Sequence, residues 1–278
     1  MEEVYLQAIL LGIVQGICEF LPISSSAHLL LLPQLADLPY WGKSFDVALH
    51  GGSLGALLLY KRKLWLQILN SWRSYLSDMW HNPAAREWPS YRDPFLSLGF
   101  IALVGAIPVA LLGFLLEDYV EVYAHNPYLI ATTLALWGVA MVWSDRQSPN
   151  DRELESVGWG EAWRLGIVQS LALFPGVSRS GAVLTISRLL GFARPQAGLV
   201  ALVTALPVVG GAFLVKMARG FVLDPALGLG PLVAGVAASF LAGLASIRLL
   251  EGILERANLI YFAGYRLALS LLIFLRLI

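Results

Sequence analysis

The sequence predicts an all-α polytopic membrane protein, built as an inverted-topology repeat of six transmembrane helices and two re-entrant helix–loop–helix elements. Three observations predict this fold. The 278 residues are 58% hydrophobic and only 14% charged, whereas soluble domains average about 25% charged residues. Six apolar runs are long enough to cross a bilayer. A polar segment also occurs twice, once in each half. We expect a single membrane domain over 1–278, with repeat halves 1–145 and 160–278.

The duplicated segments are Leu11–Ser26, reading LGIVQGICEFLPISSS, and Leu165–Ser180, reading LGIVQSLALFPGVSRS. At a constant offset of 154 residues, eight of the sixteen positions are identical. Each copy is an apolar helical run that ends at a proline and continues into serines. A broken helix with polar groups at membrane depth, present in both halves, is typical of a buried site at a repeat interface.

The remaining elements follow from the lengths of the apolar runs. The predicted spans, in chain order, are Phe45–Tyr60, Phe95–Leu116, Pro127–Trp143, Ala197–Val215, Pro231–Leu250 and Asn258–Leu277. Trp163–Phe174 would form roughly 18 Å of helix, which is too short to span. Val4–Leu21 is longer, but only Leu29–Leu32 follows its polar loop before Pro33. We therefore interpret both copies as re-entrant, since irregular backbone at this depth must be buried or line a wet cavity.

Three spans lie between the two copies, so the second copy should enter from the opposite face. If Lys61–Pro94 is cytoplasmic, thirteen Lys and Arg residues lie inside and four outside, as the positive-inside rule requires. Both termini and a loop at Glu117–Asn126 should then face outward. Lys61–Pro94 is rich in Trp and Tyr, which favours an amphipathic segment on the membrane surface. For Arg266, inside the last span, the sequence suggests only snorkelling towards the inner interface.

Charge and cysteine content exclude other classes of protein. The formal net charge is zero and the sequence pI is about 6.9, which argues against binding to nucleic acid. Cys18 is the single cysteine, so a disulfide within the chain cannot form.

The first copy carries groups suited to acid–base and nucleophilic chemistry. Gln15 and Glu19 are four residues apart and share one helix face. A carboxylate at membrane depth is costly and is a functional candidate, although Glu19 could instead face water at an interface. Ser24–Ser26 with His28 can supply a nucleophile, its base and a helix cap. Taken alone, such a serine run is more often only a cap.

The second copy carries groups suited to anion binding. Gly176 and Gly181 allow close approach of the backbone to a ligand, and Arg179 offers a planar fork for phosphate oxygens. An ion pair between Arg179 and Glu19 is the alternative, and it is compatible with a phosphate site. His50, in a His-Gly-Gly-Ser run, is either a partner of this site or part of a close-packing turn.

Two long motifs now carry a family resemblance: Gln15–Leu29, reading QGICEFLPISSSAHL, and Pro175–Gly181, reading PGVSRSG. They resemble the two signature motifs of the undecaprenyl-diphosphate phosphatase family (BacA/UppP), and length, duplicated halves and span order fit along the whole chain. The resemblance implies a membrane hydrolase that removes the terminal phosphate of undecaprenyl diphosphate. In the family this recycles the lipid carrier of peptidoglycan synthesis, on the outer side of the bacterial plasma (inner) membrane, and confers bacitracin resistance.

The resemblance also implies roles for individual residues. Glu19 is implied in metal handling or acid–base work, Ser25 as the nucleophile and His28 as the proton-transfer partner. Glu19 and Gln15 are the implied ligands of a divalent cation, Mg²⁺ or Ca²⁺. The implied substrate-binding residues are Ser24, Ser26, Gly176, Ser178, Arg179, Ser180, Gly181 and Thr185. This chain departs from the second motif at one position, where Val183 replaces the usual Thr.

A polyprenyl diphosphate is thus the expected substrate and membrane lipid the expected surrounding, with a homo-oligomer left open. The alternative function is a lipid-phosphate transporter or flippase, because inverted repeats with broken helices also build alternating-access carriers.

Overall fold

The computed structural model describes residues 2–36, 38–81, 93–150, 152, 154 and 157–277. Every regular element in these ranges is a helix. The helices are α1 (Glu2–Phe20), α2 (Ser25–Leu35), α3 (Gly42–Tyr60), α4 (Arg62–His81), α5 (Pro94–Tyr123), α6 (Pro127–Gln147), α7 (Trp159–Ser170), α8 (Arg179–Leu189), α9 (Arg194–Arg219), α10 (Leu229–Arg256) and α11 (Ile260–Leu277). A short 3-10 turn, Leu171–Leu173, follows α7.

Among the described residues, five helices are long and apolar enough to cross a membrane: α1, α5, α6, α9 and α10. A multi-pass membrane protein is therefore confirmed. Four of the predicted spans correspond to α5, α6, α9 and α10, and the other two are helical as α3 and α11. Helix α1, in the first copy of the repeat, is a continuous helix of 19 residues, and the re-entrant course of both copies remains a prediction. The count of six spans remains a prediction.

The helix α5 extends further than the sequence suggested. It continues to Tyr123, so most of the predicted loop Glu117–Asn126 is helical. Between Gly113 and Asn126 the sequence contains neither Gly nor Pro to end the helix. The connection is short because Asn126 caps α6 at once, its side chain accepting from the amides of Tyr128 and Leu129.

The amphipathic segment predicted on the membrane surface is helical as α4. Its inner face packs on α5, where the Trp72 indole lies over Gly99. Its outer face exposes apolar side chains, among them Leu69 and Trp80. The predicted aromatic residues Trp88 and Tyr91 lie outside the described residues.

The two copies of the repeat pack on helices of the opposite half. Helix α1 lies mainly on α10, and α7 lies on α5. The backbones come close because small residues meet: a Cβ added at Gly12 would lie 2.1 Å from the carbonyl oxygen of Gly235. The largest cluster of buried apolar side chains has members from α5, α8, α9 and α10. Small residues at such contacts are typical of helix packing in membranes.

A buried carboxylate fixes the far end of α8. Asp145, near the end of α6, accepts hydrogen bonds at 2.8 Å from the Nε atoms of both Arg188 and Arg194. It also accepts a bond of 3.1 Å from the backbone amide of Leu259. One acidic side chain thereby holds together the ends of α6, α8, α9 and α11, and this anchors the second copy of the repeat.

Candidate active site

The two loops after α1 and α7 share a left-handed serine at equivalent positions. Ser24 has φ 76° and Ser178 has φ 72°, values in the left-handed region that non-glycine residues rarely adopt. Each serine caps the helix that follows, Ser24 Oγ accepting from the Ala27 amide at 3.4 Å and Ser178 Oγ from the Gly181 amide at 3.2 Å. Backbone strain that is repeated in both copies is typical of a functional site.

Glycine is required in the second loop at one position. Gly176 has φ 92°, and a Cβ there would lie 2.0 Å from Oγ1 of Thr133 on α6. The Thr133 hydroxyl donates to the carbonyl of Pro175 at 2.6 Å. The loop is therefore pressed onto α6 and fixed there by a hydrogen bond.

The two loops touch each other, as the sequence predicts. The hydroxyl of Ser180, in the second copy, donates to the carbonyl of Leu21, in the first, at 3.1 Å. Each serine run is also internally paired, with 3.2 Å between the hydroxyls of Ser24 and Ser26 and 3.1 Å between those of Ser178 and Ser180. The repeat thus brings its two polar segments together at one place.

Arg266 on α11 holds this junction, and the snorkelling interpretation was wrong. Its side chain is 0% exposed. The guanidinium donates to the carbonyls of Pro22 at 3.1 Å, Gly176 at 2.6 Å and Val177 at 3.1 Å, and its Nε bonds Leu134 O at 3.3 Å. Where the two helices break, backbone carbonyls lack helical hydrogen-bond partners, and these carbonyls accept from Arg266. The membrane–water interface would not offer such fixed acceptors. An arginine inside an apolar run was the only sequence signal of this role.

Glu19 lies at the centre of the site and is nearly buried, with 6% of its side chain exposed. Its Oε2 accepts hydrogen bonds from Ser25 Oγ and from Gln15 Nε2, both at 3.1 Å. Its Oε1 lies 3.4 Å from the guanidinium of Arg179. Both loops therefore meet at one carboxylate, and the alternative in which Glu19 faces water at an interface does not hold.

Arg179 is the first residue of α8, and only part of its guanidinium is satisfied. One terminal nitrogen donates to the carbonyl of Ala201 on α9 at 2.8 Å, and the other faces Glu19. Its Nε is buried without a hydrogen-bond partner among the described residues. Ser25 is correspondingly the first residue of α2. Two helix N-termini, each the positive end of a helix dipole, thus lie at this site.

The histidine predicted beside Ser25 points elsewhere. Nδ1 of His28 lies 2.7 Å from the carbonyl oxygen of Ser24, and Nε2 lies 2.6 Å from the hydroxyl of Tyr265. The two rings stack with 5.7 Å between centroids. Because a carbonyl only accepts, the proton of a neutral ring is on Nδ1, and Tyr265 donates to Nε2. The structure brings Ser25 to Glu19 and pairs His28 with Tyr265.

His50, which the sequence left open, does contact the site. Its Nε2 lies 3.4 Å from Oε2 of Glu19, and its Nδ1 lies 2.7 Å from the carbonyl oxygen of Asp46. The predicted binding residue Thr185, by contrast, donates its hydroxyl to Gly181 O of its own helix at 2.8 Å and is nearly buried. Val183 is fully buried in the core.

The donor set around Glu19 fits a hard cation in chemistry, although no group of three or more His, Cys, Asp or Glu that could hold a metal occurs in the described part of the chain. The side-chain oxygen Oε1 of Gln15 is buried without a partner among those residues. Carboxylate and amide oxygens are ligands that Mg²⁺ and Ca²⁺ accept. An unpaired amide oxygen next to a carboxylate is thus compatible with a divalent cation here.

Comparison with known proteins identifies the family. A family model described as bacitracin resistance protein BacA matches residues 8–272, which include both loops and Arg266. The chain belongs to this family. Curated relatives named undecaprenyl-diphosphatase come from Moorella thermoacetica, with 38% identity over 268 residues, and Geotalea daltonii, with 36% over 268 residues; each alignment covers 96% of both chains. A third, from Thermomicrobium roseum, is 37% identical over 277 residues and covers 97% of this chain and 96% of its own.

Proposed function

We propose that this protein is an undecaprenyl-diphosphatase, which hydrolyses undecaprenyl diphosphate to undecaprenyl phosphate and phosphate. The observation that supports this most is the meeting of Glu19, Ser25 and Arg179 at two helix N-termini. An anion site and a hydroxyl paired with a carboxylate are what phosphoryl transfer from a diphosphate needs. The name of the relatives, undecaprenyl-diphosphatase, indicates which diphosphate is the substrate.

In this proposal Ser25 Oγ attacks the terminal phosphorus. The O–P bond to the lipid phosphate breaks as the Ser25 O–P bond forms, and the proton of Ser25 passes to Glu19 Oε2, 3.1 Å away. A hydroxyl is a weak nucleophile until a base removes its proton, and this geometry favours Glu19 as that base. Water then cleaves the phosphoserine and regenerates Ser25.

The second loop binds the diphosphate. Arg179 can turn its unpaired Nε and a terminal nitrogen towards phosphate oxygens, a fork that suits bidentate recognition. The amides at the start of α8, among them those near Ser178 and Ser180, add dipoles that favour the developing negative charge. Ser24 and Ser26, at the start of α2, complete the cradle from the first loop.

His28 serves as a proton-transfer partner, with the carbonyl of Ser24 and the hydroxyl of Tyr265 as its neighbours. Both ring nitrogens of His28 have these partners, whereas Ser25 Oγ donates to Glu19. This pairing supports a role of His28 in proton exchange with solvent or leaving group rather than in activating Ser25.

Glu19 and Gln15 would hold a divalent cation, Mg²⁺ or Ca²⁺. When bound, such a cation supplies positive charge that neutralises diphosphate oxygens. The unpaired oxygen of Gln15 supports this assignment.

We place the protein in the bacterial plasma membrane with the site open to the outer side. The orientation is supported by the thirteen-to-four division of Lys and Arg, and the inverted repeat is supported by the exchange of partners, α1 on α10 and α7 on α5. Such a site would recycle the lipid carrier of cell-wall synthesis, and loss of the protein would increase sensitivity to bacitracin.

Phosphate release from detergent-purified protein tests the activity. With Mg²⁺ or Ca²⁺ we expect one phosphate per molecule of undecaprenyl or farnesyl diphosphate, none from farnesyl monophosphate, and loss of activity with EDTA. If neither diphosphate releases phosphate, the proposal is refuted and a flippase is favoured.

Labelling of single cysteines with an impermeant reagent tests the topology. In intact cells, Cys at Val222, in the loop after α9, should react, and Cys at Trp80, at the end of α4, should not. Both positions are highly exposed in the fold, and the native Cys18 is buried. Labelling at the Trp80 position and not at Val222 would show that the protein has the opposite orientation in the membrane.

A further inference from the structure

When the His50 ring is neutral, its contact with Glu19 joins two electron-rich atoms. Nδ1 of His50 lies 2.7 Å from the carbonyl oxygen of Asp46, which can only accept, so Nδ1 carries a proton. In the neutral ring, Nε2 then presents a lone pair. That lone pair lies 3.4 Å from Oε2 of Glu19. A cation bound by both atoms would make this arrangement favourable.

The geometry is that of neighbouring metal ligands. Two ligand atoms about 2.1–2.4 Å from a cation, at right angles to each other, lie about 3.0–3.4 Å apart. A histidine that binds a metal through one nitrogen almost always donates its other N–H to a carboxylate, a backbone carbonyl or water. His50 shows this second feature through Asp46.

A third donor lies in the same cluster. The amide nitrogen of Gln15 is 3.1 Å from the same Oε2 of Glu19, and its oxygen Oε1 is buried without a partner in the described ranges. Turning the amide exchanges oxygen and nitrogen at nearly the same positions. An oxygen of Gln15 can thereby face the point where His50 and Glu19 meet.

Access and charge favour the same point. The side chain of His50 is 28% exposed, whereas that of Glu19 is 6% exposed, so His50 lies between solvent and the carboxylate. Arg179 pairs with Oε1 of Glu19 at 3.4 Å. Oε2 faces His50 and accepts from Ser25 Oγ and Gln15 Nε2, and turning the Gln15 amide replaces that second donor with an oxygen.

We infer that His50 Nε2, Glu19 Oε2 and the Gln15 amide oxygen form a mixed nitrogen–oxygen site for a divalent cation. This inference rests on the proposed function, because the cation would lie beside the diphosphate. An imidazole ligand favours transition metals over Mg²⁺ and Ca²⁺. The site therefore binds Mn²⁺ more tightly than either of those ions.

Mn²⁺ binding to the purified protein, without lipid substrate, tests the inference. Pulsed electron paramagnetic resonance of bound Mn²⁺ should show coupling to an imidazole ¹⁴N nucleus, and titration should give tighter binding of Mn²⁺ than of Ca²⁺. His50→Gln, which keeps an oxygen donor, should remove the coupling and weaken Mn²⁺ binding by at least about tenfold. Ca²⁺ binding should change less.

Two control variants make the test specific. His81→Gln, at the exposed end of α4, should keep both the coupling and the Mn²⁺ affinity, and so should His28→Gln. Coupling that persists in His50→Gln, coupling lost in His28→Gln instead, or no Mn²⁺ binding at all would overturn the inference. Phosphate release is assayed separately, so an active enzyme without the ¹⁴N coupling would refute only the role of His50.

Discussion

The two polar loops share a left-handed serine that caps the following helix, and they differ in chemistry. Ser24 and Ser178 occupy equivalent positions at the offset of 154, with φ of 76° and 72° and the same capping contact. The reactive groups of the first loop have no equivalent in the second. At the matching positions, Glu19 corresponds to Leu173, Ser25 to Arg179 and His28 to Ala182.

This difference separates chemistry from binding. Both copies keep the left-handed serine and its cap, and the glutamine is also shared. Gln15 contacts Glu19, whereas Gln169 donates to the carbonyl of Gly105 in the helix against which it packs. The first loop carries the carboxylate and the hydroxyl, and the second carries the guanidinium. The comparison predicts that substitutions in the first loop mainly affect kcat, whereas those in the second mainly affect substrate binding.

The largest effect is expected in the first loop. Glu19→Gln and Ser25→Ala should each lower kcat for phosphate release by about 10²–10⁴-fold. The first substitution removes the base that activates the nucleophile, and the second removes the nucleophile itself. The double variant should be little worse than either single variant, since the two residues act as one unit.

A second pair of single and double variants tests whether His28 acts together with Ser25. We expect the losses in Ser25→Ala and His28→Ala to multiply, because His28 is paired with Tyr265. Multiplicative losses for Glu19 and Ser25, or shared losses for Ser25 and His28, would contradict the assignment of Glu19 as the base.

The guanidinium of the second loop should be nearly as sensitive. Arg179→Lys should lower kcat/KM by about 10²–10³-fold and be nearly as damaging as Arg179→Ala, because an ammonium cannot replace a planar fork. Arg164→Lys, at an exposed position on α7, is the matched control and should remain active. Near-normal kinetics in Arg179→Lys would show that a point charge suffices.

The junction between the loops tests whether the two halves depend on each other. Arg266→Gln should lower the free energy of unfolding by about 2–4 kcal/mol, because buried carbonyls of both loops lose a charged donor. Thermal unfolding in detergent measures this effect. Arg276→Gln, exposed on the same helix, should unfold like the wild type, and equal stability of the two variants would exclude the clamp.

The smallest effect concerns one glycine. Gly176→Ala and Gly220→Ala both place a side chain at positive φ, which costs about 1–3 kcal/mol. Only at Gly176 does the added Cβ also meet Thr133; near Gly220 nothing lies within 4 Å. We therefore expect a lower unfolding midpoint for Gly176→Ala than for Gly220→Ala. Equal midpoints would show that the second loop can move away from α6.

The sequence predicted the polar residues of the site better than their partners. Glu19, Ser25 and Arg179 were found because a charge or a hydroxyl at membrane depth is energetically unfavourable and therefore indicates function. The duplicated motif showed where in the sequence such groups occur. Contacts such as Ser25 with Glu19 rather than His28 were not predictable. They depend on side-chain directions set by a left-handed serine, which the sequence does not reveal.

The sequence by itself determined a multi-pass helical protein, its duplicated polar loops and its family, because hydrophobic run lengths and long motifs are local properties of the chain. Only the tertiary structure decided that Arg266 joins both loops, that His50 lies at Glu19 and that α5 continues to Tyr123. Arg266 lies 244 residues from the carbonyl of Pro22 that it binds. Contacts of this kind arise from how helices of opposite halves pack, and no spacing along the chain specifies them.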